Sequence, residues 1–315
     1  MTSFWRDIPG VATGPRKEPA VVTIGNFDGV HRGHQHLLAT AAAAGQPVVA
    51  VTFDPHPARL FAPDKAPKLL CTLERRIELL REHGADEIRI LAFDREVAGW
   101  SPTEFIERVI VGELRATAVV VGENFHFGAQ AAGDVATLAA AGASAGFTAE
   151  GVSLVTSIGM AGGDTSDILC STLVRDRIAA GDMPGAAAVL GRPHEVSGVV
   201  RAGDGRGKDL GFPTANVPVD ETYAVPPDGV YAGFVVVDGE RHQAAISVGT
   251  NPTFGGMERR VESFVLDRPG GIDLYERAIR VEFIQRLRGM EAFDSVDALV
   301  AQMHDDVVVA RELLN

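Results

Sequence analysis

Between residues 20 and 160 the chain alternates short, continuous apolar runs with stretches of helical period. No other feature restricts the fold as strongly. The runs are AVVTI (20–24), PVVAVTF (47–53), EIRILAF (87–93), TAVVVG (117–122) and GVSLV (151–155). Uninterrupted β-rich runs suit strands buried on both faces. Between them lie ERRIELLREHG and SPTEFIERVIVGEL. The second opens with Ser101 as N-cap, Pro102 at the first helical position and Glu104 three beyond the cap, which forms a capping box. A βαβα alternation predicts an α/β unit with a parallel sheet.

After about residue 195 the period changes. EVSGVVRAG, TANVPV, GVYAGFVVVDGERHQAAISVG, VESFVLD and AIRVEFIQRL are strand-like, with turn residues but no helices between them. Asp238-Gly239 is a strong two-residue hairpin signal. Closely spaced strands without crossovers predict a small antiparallel β-barrel. Apolar residues at Leu299, Met303, Val307, Ala310 and Leu314 make the C-terminal segment an amphipathic helix suited to cover one barrel opening. The small-residue stretch RIAAGDMPGAAAVLG (177–191) reads as a linker. The expected domains are 1–182 and 187–315, in keeping with a 315-residue chain.

Charge and composition narrow the partners. The formal net charge is −13, which argues against nucleic acid and against anionic membrane surfaces. It leaves room for small anions in a locally positive pocket. Cys71 and Cys170 form no CxxC, so neither a disulfide framework nor a thiolate metal site is indicated. There is no signal-peptide pattern and no run of roughly 18 apolar residues. A cytoplasmic location is expected, and a homo-oligomer is allowed.

The most unusual stretch is VVTIGNFDGVHRGHQHLL, residues 21–38. A strand runs into Gly25, Asn26, Phe27 and Asp28, a turn follows, and a helix should begin near Val30 or His31. Helix N-termini carry unpaired N–H groups and a positive dipole end, which suit phosphates. His31 and His34 share a helix face and would point at an anion held there. A bare HxxH also occurs incidentally, and a zinc pair would need a third ligand that the sequence does not place.

GNFDGVHRGH resembles the GxFDxxHxGH pattern of HIGH-type nucleotidyltransferases. TFDPHP (52–57), VGENFHFG (121–128) and CSTLVRDRIAAGD (170–182) follow in the order found in the bacterial bifunctional riboflavin kinase/FAD synthetase family. The resemblance implies that His31 and His34 bind the ATP phosphates and that Asn124 lies in the nucleotide or flavin site. It makes Ser171, Thr172 and Arg175 a second phosphate clamp, with Arg175 a fixed cation for developing charge. The chain departs from the family at Cys170, where SST is usual, and at His126, where an arginine is frequent. Both positions are left without a role.

In the second half, GDGRGKDLGFPTANV (203–217) is not a Walker A loop: position 202 is Ala, and Asp209 follows Lys208. A glycine-rich turn with Gly207, Lys208 and Gly211 can still wrap phosphates. Thr214 and Asn216 lie two apart, so on a strand they face one way. A hydroxyl and an amide oxygen there can hold Mg²⁺, or simply form a polar face. RGKDLGFPTAN, GVYAG, SVGTNPTF, VESFVLD and RLRGMEAFDSVDAL resemble riboflavin kinase domains, which are six-stranded antiparallel barrels. By that resemblance Thr214 and Asn216 contact Mg²⁺ and ATP, Glu262 is the catalytic base, and Arg286 and Arg288 border the flavin. Strand alternation puts Glu262 with Phe264 and Leu266 on one face, expected at the barrel mouth.

The expected function is therefore phosphorylation of riboflavin by ATP to FMN with release of ADP, then adenylylation of FMN by a second ATP to FAD and pyrophosphate. Mg²⁺ accompanies ATP as substrate, and no tightly bound prosthetic group is required. The competing readings are a nucleotidyltransferase for another phosphorylated acceptor, with the barrel only a binding module, and a non-enzymatic flavin carrier.

Overall fold

The apolar runs of the first half become β1 (Ala20–Ile24), β2 (Val48–Asp54), β3 (Glu87–Ala92), β4 (Ala116–Gly122) and β5 (Thr148–Val152) in the computed structural model. That structure describes residues 4–157, 167–203, 207, 210–253, 256–268 and 272–315. These five strands pair with one another in parallel and their order is β3-β2-β1-β4-β5. The chain leaves β1 toward β2 on one side and returns to β4 on the other. A crevice opens outside the carboxyl ends of strands at such a switch point. Ile24, Val49, Leu91, Val119 and Leu138 are buried in one core cluster.

Two details differ from expectation in this half. β5 forms three residues earlier than the run GVSLV, because it is an edge strand whose exposed Thr148, Glu150 and Gly151 blur the apolar signal. The segment after the Ser101–Glu104 capping box begins as an α-turn and widens into π-helical turns from Ile106 to Glu113.

The second half forms β6 (His194–Val199), β7 (Ala215–Pro218), β8 (Gly229–Val237), β9 (Glu240–Thr253), β10 (Gly256–Val265) and β11 (Ala278–Arg288). Their order is β6-β11-β8-β9-β10-β7, antiparallel throughout. Arg201 N donates to Asn216 O at 2.9 Å, so the two edges meet and the barrel is nearly closed. Asp238 and Gly239 sit at φ +50° and +82°, the left-handed pair that a two-residue hairpin requires.

Tyr231 and Phe283 fill the interior edge to face, 5.3 Å apart. The helix Val296–Leu314 lies elsewhere than expected. Its Val307, Ala310 and Leu314 meet Ala232, Ala245, Phe264 and Leu266. Ala232 alternates with inward Tyr231, so the helix covers an outer face of the sheet rather than a barrel opening. Its anchor is Asp306, 7% exposed, which receives Arg288 Nε at 2.9 Å and Nη2 at 2.7 Å.

The described residues separate into two units, one of residues 4–67, 72–157 and 167–170, the other of residues 68–71 and 171–315. The stretch expected to be a linker is helical, over Ser171–Ala179 and Met183–Leu190. Asp182 caps the second helix by accepting from Gly185 N at 2.9 Å, and left-handed Gly191 stops it. These local signals outweigh the small-residue composition. Residues 68–71 join the second unit by backbone pairing: Leu69 N donates to Thr222 O, and Ala224 N to Leu69 O, both at 2.8 Å. Among the described residues no helix is long and apolar enough to cross a membrane.

Candidate functional site

In the first unit the helix Arg32–Ala42 starts one residue later than expected, with His31 as its N-cap and His34 in its first turn. Asn26 is exposed at the end of β1, while Phe27 and Asp28 are buried beneath it. Phe27 and Val30 both have positive φ, +49° and +40°, and both are fully buried. Backbone strain at a β-branched residue is uncommon and concentrates where function fixes geometry. The imidazoles of His31 and His34 stack, with centroids 3.7 Å apart, and Phe27 meets His34 edge-on.

The glycine of HRGH has a steric reason. A Cβ on Gly33 would stand 3.0 Å from Leu169 O and 3.1 Å from the His31 ring. Any larger residue there would need Leu169 O and the His31 ring to give by a few tenths of an ångström. Burial of the His34 ring, then the neighbouring His31 and Arg76, hold its pKa well below the ordinary imidazole value. At neutral pH His34 is therefore an uncharged ring. Asn124 is exposed just past β4, where Gly122 leaves room for its Oδ1. The loops after β1 and β4 thus bring His31, His34 and Asn124 to the carboxyl ends of adjacent strands. His126 bonds back to Asn124 O at 3.0 Å.

Ser171, Thr172 and Arg175 open the helix Ser171–Ala179, in the second unit. Arg175 Nε donates to Lys68 O at 2.6 Å.

In the second unit the sheet register assembles the other site. Glu262 of β10 stands directly opposite Asn216 of β7. Directly opposed residues project to the same face with Cβ atoms about 5 Å apart. Asn216, 7% exposed, donates Nδ2 to Thr214 O at 3.2 Å and to Thr214 Oγ1 at 3.4 Å. Gly203 and Gly207 wrap this corner. A Cβ on Gly203 would strike the Asn216 side chain at 2.5 Å, and one on Gly207 would strike Phe212 O at 2.5 Å. Gly211 adopts φ +88° in the same turn; Lys208 lies outside the described residues.

The barrel interior belongs to Val261, Ser263 and Val265, all buried, so Glu262 is on the opposite, half-buried face with Phe264. The expected position at the mouth of the interior is thereby corrected. Alternation showed the two faces of the strand but not which one the barrel encloses.

The two halves of the chain match known families. A family model described as FAD synthetase matches residues 14–163, and one described as riboflavin kinase matches residues 190–314. The chain belongs to the bifunctional riboflavin kinase/FMN adenylyltransferase family. The relative of that name from Escherichia coli K12 is 38% identical over 98% of this chain and 96% of its own length. The one from Bacillus subtilis is 33% identical over 91% and 90%. A crystal structure of a macrolide-efflux protein from Streptococcus pneumoniae has TM-score 0.82 and 31% identity, covering 95% of each chain.

Within the riboflavin kinase domain the two expected flavin arginines differ in their commitments. Arg286 Nη2 donates to Asp228 O at 2.8 Å, whereas Arg288 is held by Asp306 of the C-terminal helix. Arg259, a neighbour of Glu262 in sequence, pairs with Asp228 at 2.9 Å. Sequence reasoning missed three residues of consequence: Asp306, Gly33 as a tight steric fit, and Arg76. Asp306 carried a signal, a charge inside an apolar helical stripe. Among the described residues no group of three or more His, Cys, Asp or Glu could hold a metal ion.

Proposed function

We propose that the two activities of this bifunctional enzyme use the two constellations separately. In the FAD synthetase domain, His31 and His34 receive the phosphates of ATP at the helix start. Their N–H groups stabilise charge that builds as an FMN phosphate oxygen bonds to the α-phosphorus and the bond to pyrophosphate breaks. Asn124, at the neighbouring strand end, contacts nucleotide or flavin. For Ser171, Thr172 and Arg175 as a further phosphate clamp, and for a module reaching to Asp182, the support is the motif.

In the riboflavin kinase domain, residues 187–315, Glu262 accepts the proton of the ribityl 5′-hydroxyl as that oxygen bonds to the γ-phosphorus and ADP departs. The donors on its flank, Thr214 Oγ1 and the Asn216 amide oxygen, are hard oxygens that suit Mg²⁺ completed by nucleotide phosphates. The cation supplies charge neutralisation when bound, while the glycine turn at Gly207 and Gly211 brings backbone N–H groups to the phosphates. Arg286, fixed on the Asp228 carbonyl, borders the flavin. Arg288 serves the same edge indirectly, by holding the C-terminal helix in place. Cys71 and Cys170 form no disulfide, and this together with ATP as substrate suits a cytoplasmic enzyme.

The observation that carries this reading is the register of Glu262 opposite Asn216. It brings the Glu262 carboxylate beside the Asn216 side chain on a half-buried face, which supports a base next to metal-suited oxygens, a pairing that a carrier or a passive binding module does not need. The test is chromatography of products after incubation with riboflavin, ATP and Mg²⁺. FMN should appear first and FAD follow; consumption of ATP without either flavin product would refute it.

A further inference from the structure

Arg76 sits on the helix Leu73–Glu82 and is only 3% exposed. A buried guanidinium is expensive unless its charge is compensated. No carboxylate pairs with Arg76 among the described residues. Its Nη1 donates to Thr52 Oγ1 at 3.3 Å and to Phe53 O at 3.1 Å, and its Nε is buried with no hydrogen-bond partner. Thr52, wholly buried on β2, passes the connection on: its hydroxyl donates to Asn26 O at 3.0 Å. Asn26 opens the strained turn that delivers His31 and His34. A chain of two hydrogen bonds therefore links a buried cation to the backbone of the histidine turn.

From this arrangement we infer that Arg76 is a positioning residue of the adenylyl-transfer site, which fixes the turn through Thr52 and brings a buried guanidinium to the backbone that delivers His31 and His34. The inference rests on the reading of His31 and His34 as phosphate ligands. It divides the work at the site. The imidazoles supply directed N–H donors, and the charge that favours polyphosphate comes from the guanidinium. Arg76 also explains how two rings 3.7 Å apart remain usable. The charged and titratable groups acting on His34 are His31 in its own turn and Arg76 from the facing helix, and both disfavour its protonation. Arg32 and His36, on the same helix, are exposed, and Asp28 is buried in the turn.

The test uses the intact chain, with riboflavin phosphorylation as an internal check on folding. Arg76→Met should lower kcat for FAD formation from added FMN by about 10²-fold, the scale for a misplaced catalytic group. FMN formation from riboflavin should be unchanged. The His34 imidazole, followed by NMR, should titrate at higher pH in Arg76→Met than in the wild type, because a neighbouring cation has been removed. The acid limb of the FAD-forming pH profile should move up with it. Arg76→Lys should restore the wild-type titration. Thr52→Val cuts the hydrogen-bond link without touching the charge, so it should lower kcat while leaving the His34 titration in place. It also carries the test should Arg76→Met fail to fold. An unmoved His34 titration in Arg76→Met, equal behaviour of Arg76→Lys and Arg76→Met, or full activity of Thr52→Val would overturn the inference. Loss of phosphate dependence at His31 and His34 themselves would show as wild-type FAD formation in His34→Ala, and that result would refute the underlying reading instead.

Discussion

The two halves of the chain handle ATP with opposite architectures. In the FAD synthetase domain the proposed functional groups sit where parallel strands end and a helix begins, and the proposed site is built along the sequence. Strand, turn, N-cap and first helical turn follow within about fifteen residues, with buried Thr52 and Arg76 bracing them from behind. In the riboflavin kinase domain the site is built across the sequence. Glu262 and Asn216 are 46 positions apart and meet only because β10 pairs with β7 in one register. A one-residue slip would turn Glu262 to the opposite face. The first kind of site depends on local sterics, and a Cβ at Gly33 would crowd the Leu169 carbonyl and the His31 ring. The second depends on the long-range pairing of the barrel. Local sites should fail through backbone or ring displacement, and cross-strand sites through loss of a single side-chain function.

The largest effect expected from that contrast is at Glu262. Glu262→Gln keeps size and register and removes the base, so riboflavin phosphorylation should fall by about 10²–10⁴. ATP binding should be largely kept, and adenylylation of added FMN should be unaffected. Steady-state rates of FMN formation check it, and a near wild-type rate would refute the base assignment. Next comes the histidine pair. His31→Ala or His34→Ala should lower FAD formation by about 10²–10³, the loss typical of one transition-state donor, with riboflavin-to-FMN conversion near wild type. Gly33→Ala sharpens the same point without removing any functional group. Its Cβ must displace either the Leu169 carbonyl or the His31 ring, so FAD formation should fall at least about tenfold. If Gly33→Ala is silent, the ring stack is not needed for the reaction.

The smallest effect concerns stability of the barrel. His194, 2% exposed, bonds to Ala224 O through Nε2 at 3.0 Å. Burial pushes its pKa down to about 4 from 6.5; the bond to Ala224 raises it and Arg192 lowers it further. Between those values the unfolded chain binds a proton that the folded barrel does not. Its contribution is therefore complete above pH 6.5 and lost as pH falls toward 4, by about 3 kcal/mol in all. Calorimetric melting of His194→Gln against wild type across that window should show a flatter pH dependence. Parallel curves would contradict the burial of a neutral His194.

How much of this was legible in the sequence follows the same division between local and long-range. AVVTI, the Ser101 capping box and Asp238-Gly239 carry their own local physics, and each forms where its residues predict. The turn and helix start around His31 were legible for the same reason. β5 was displaced because an edge strand lacks a continuous apolar run. The stretch 177–191 folded as helix because Asp182 and Gly191 cap it despite its small residues. The face of β10 that the barrel encloses depends on closure of the sheet, which the sequence of one strand does not contain. Arg76 was invisible for a related reason: on the helix ERRIELLRE an arginine reads as solvated, and only its approach to Thr52 and Phe53 of β2 shows it buried and bonded.

The central claim is that each activity has its own constellation on this one chain, and a reciprocal time course tests it most directly. His34→Ala and Glu262→Gln are each incubated with ATP, Mg²⁺ and either riboflavin or FMN, and the flavins are separated by chromatography. His34→Ala should convert riboflavin to FMN at near wild-type rate and accumulate it with little FAD. Glu262→Gln should leave riboflavin almost unconverted yet turn added FMN into FAD at wild-type rate. Parallel loss of both activities in either variant would contradict the claim and point to a single shared site.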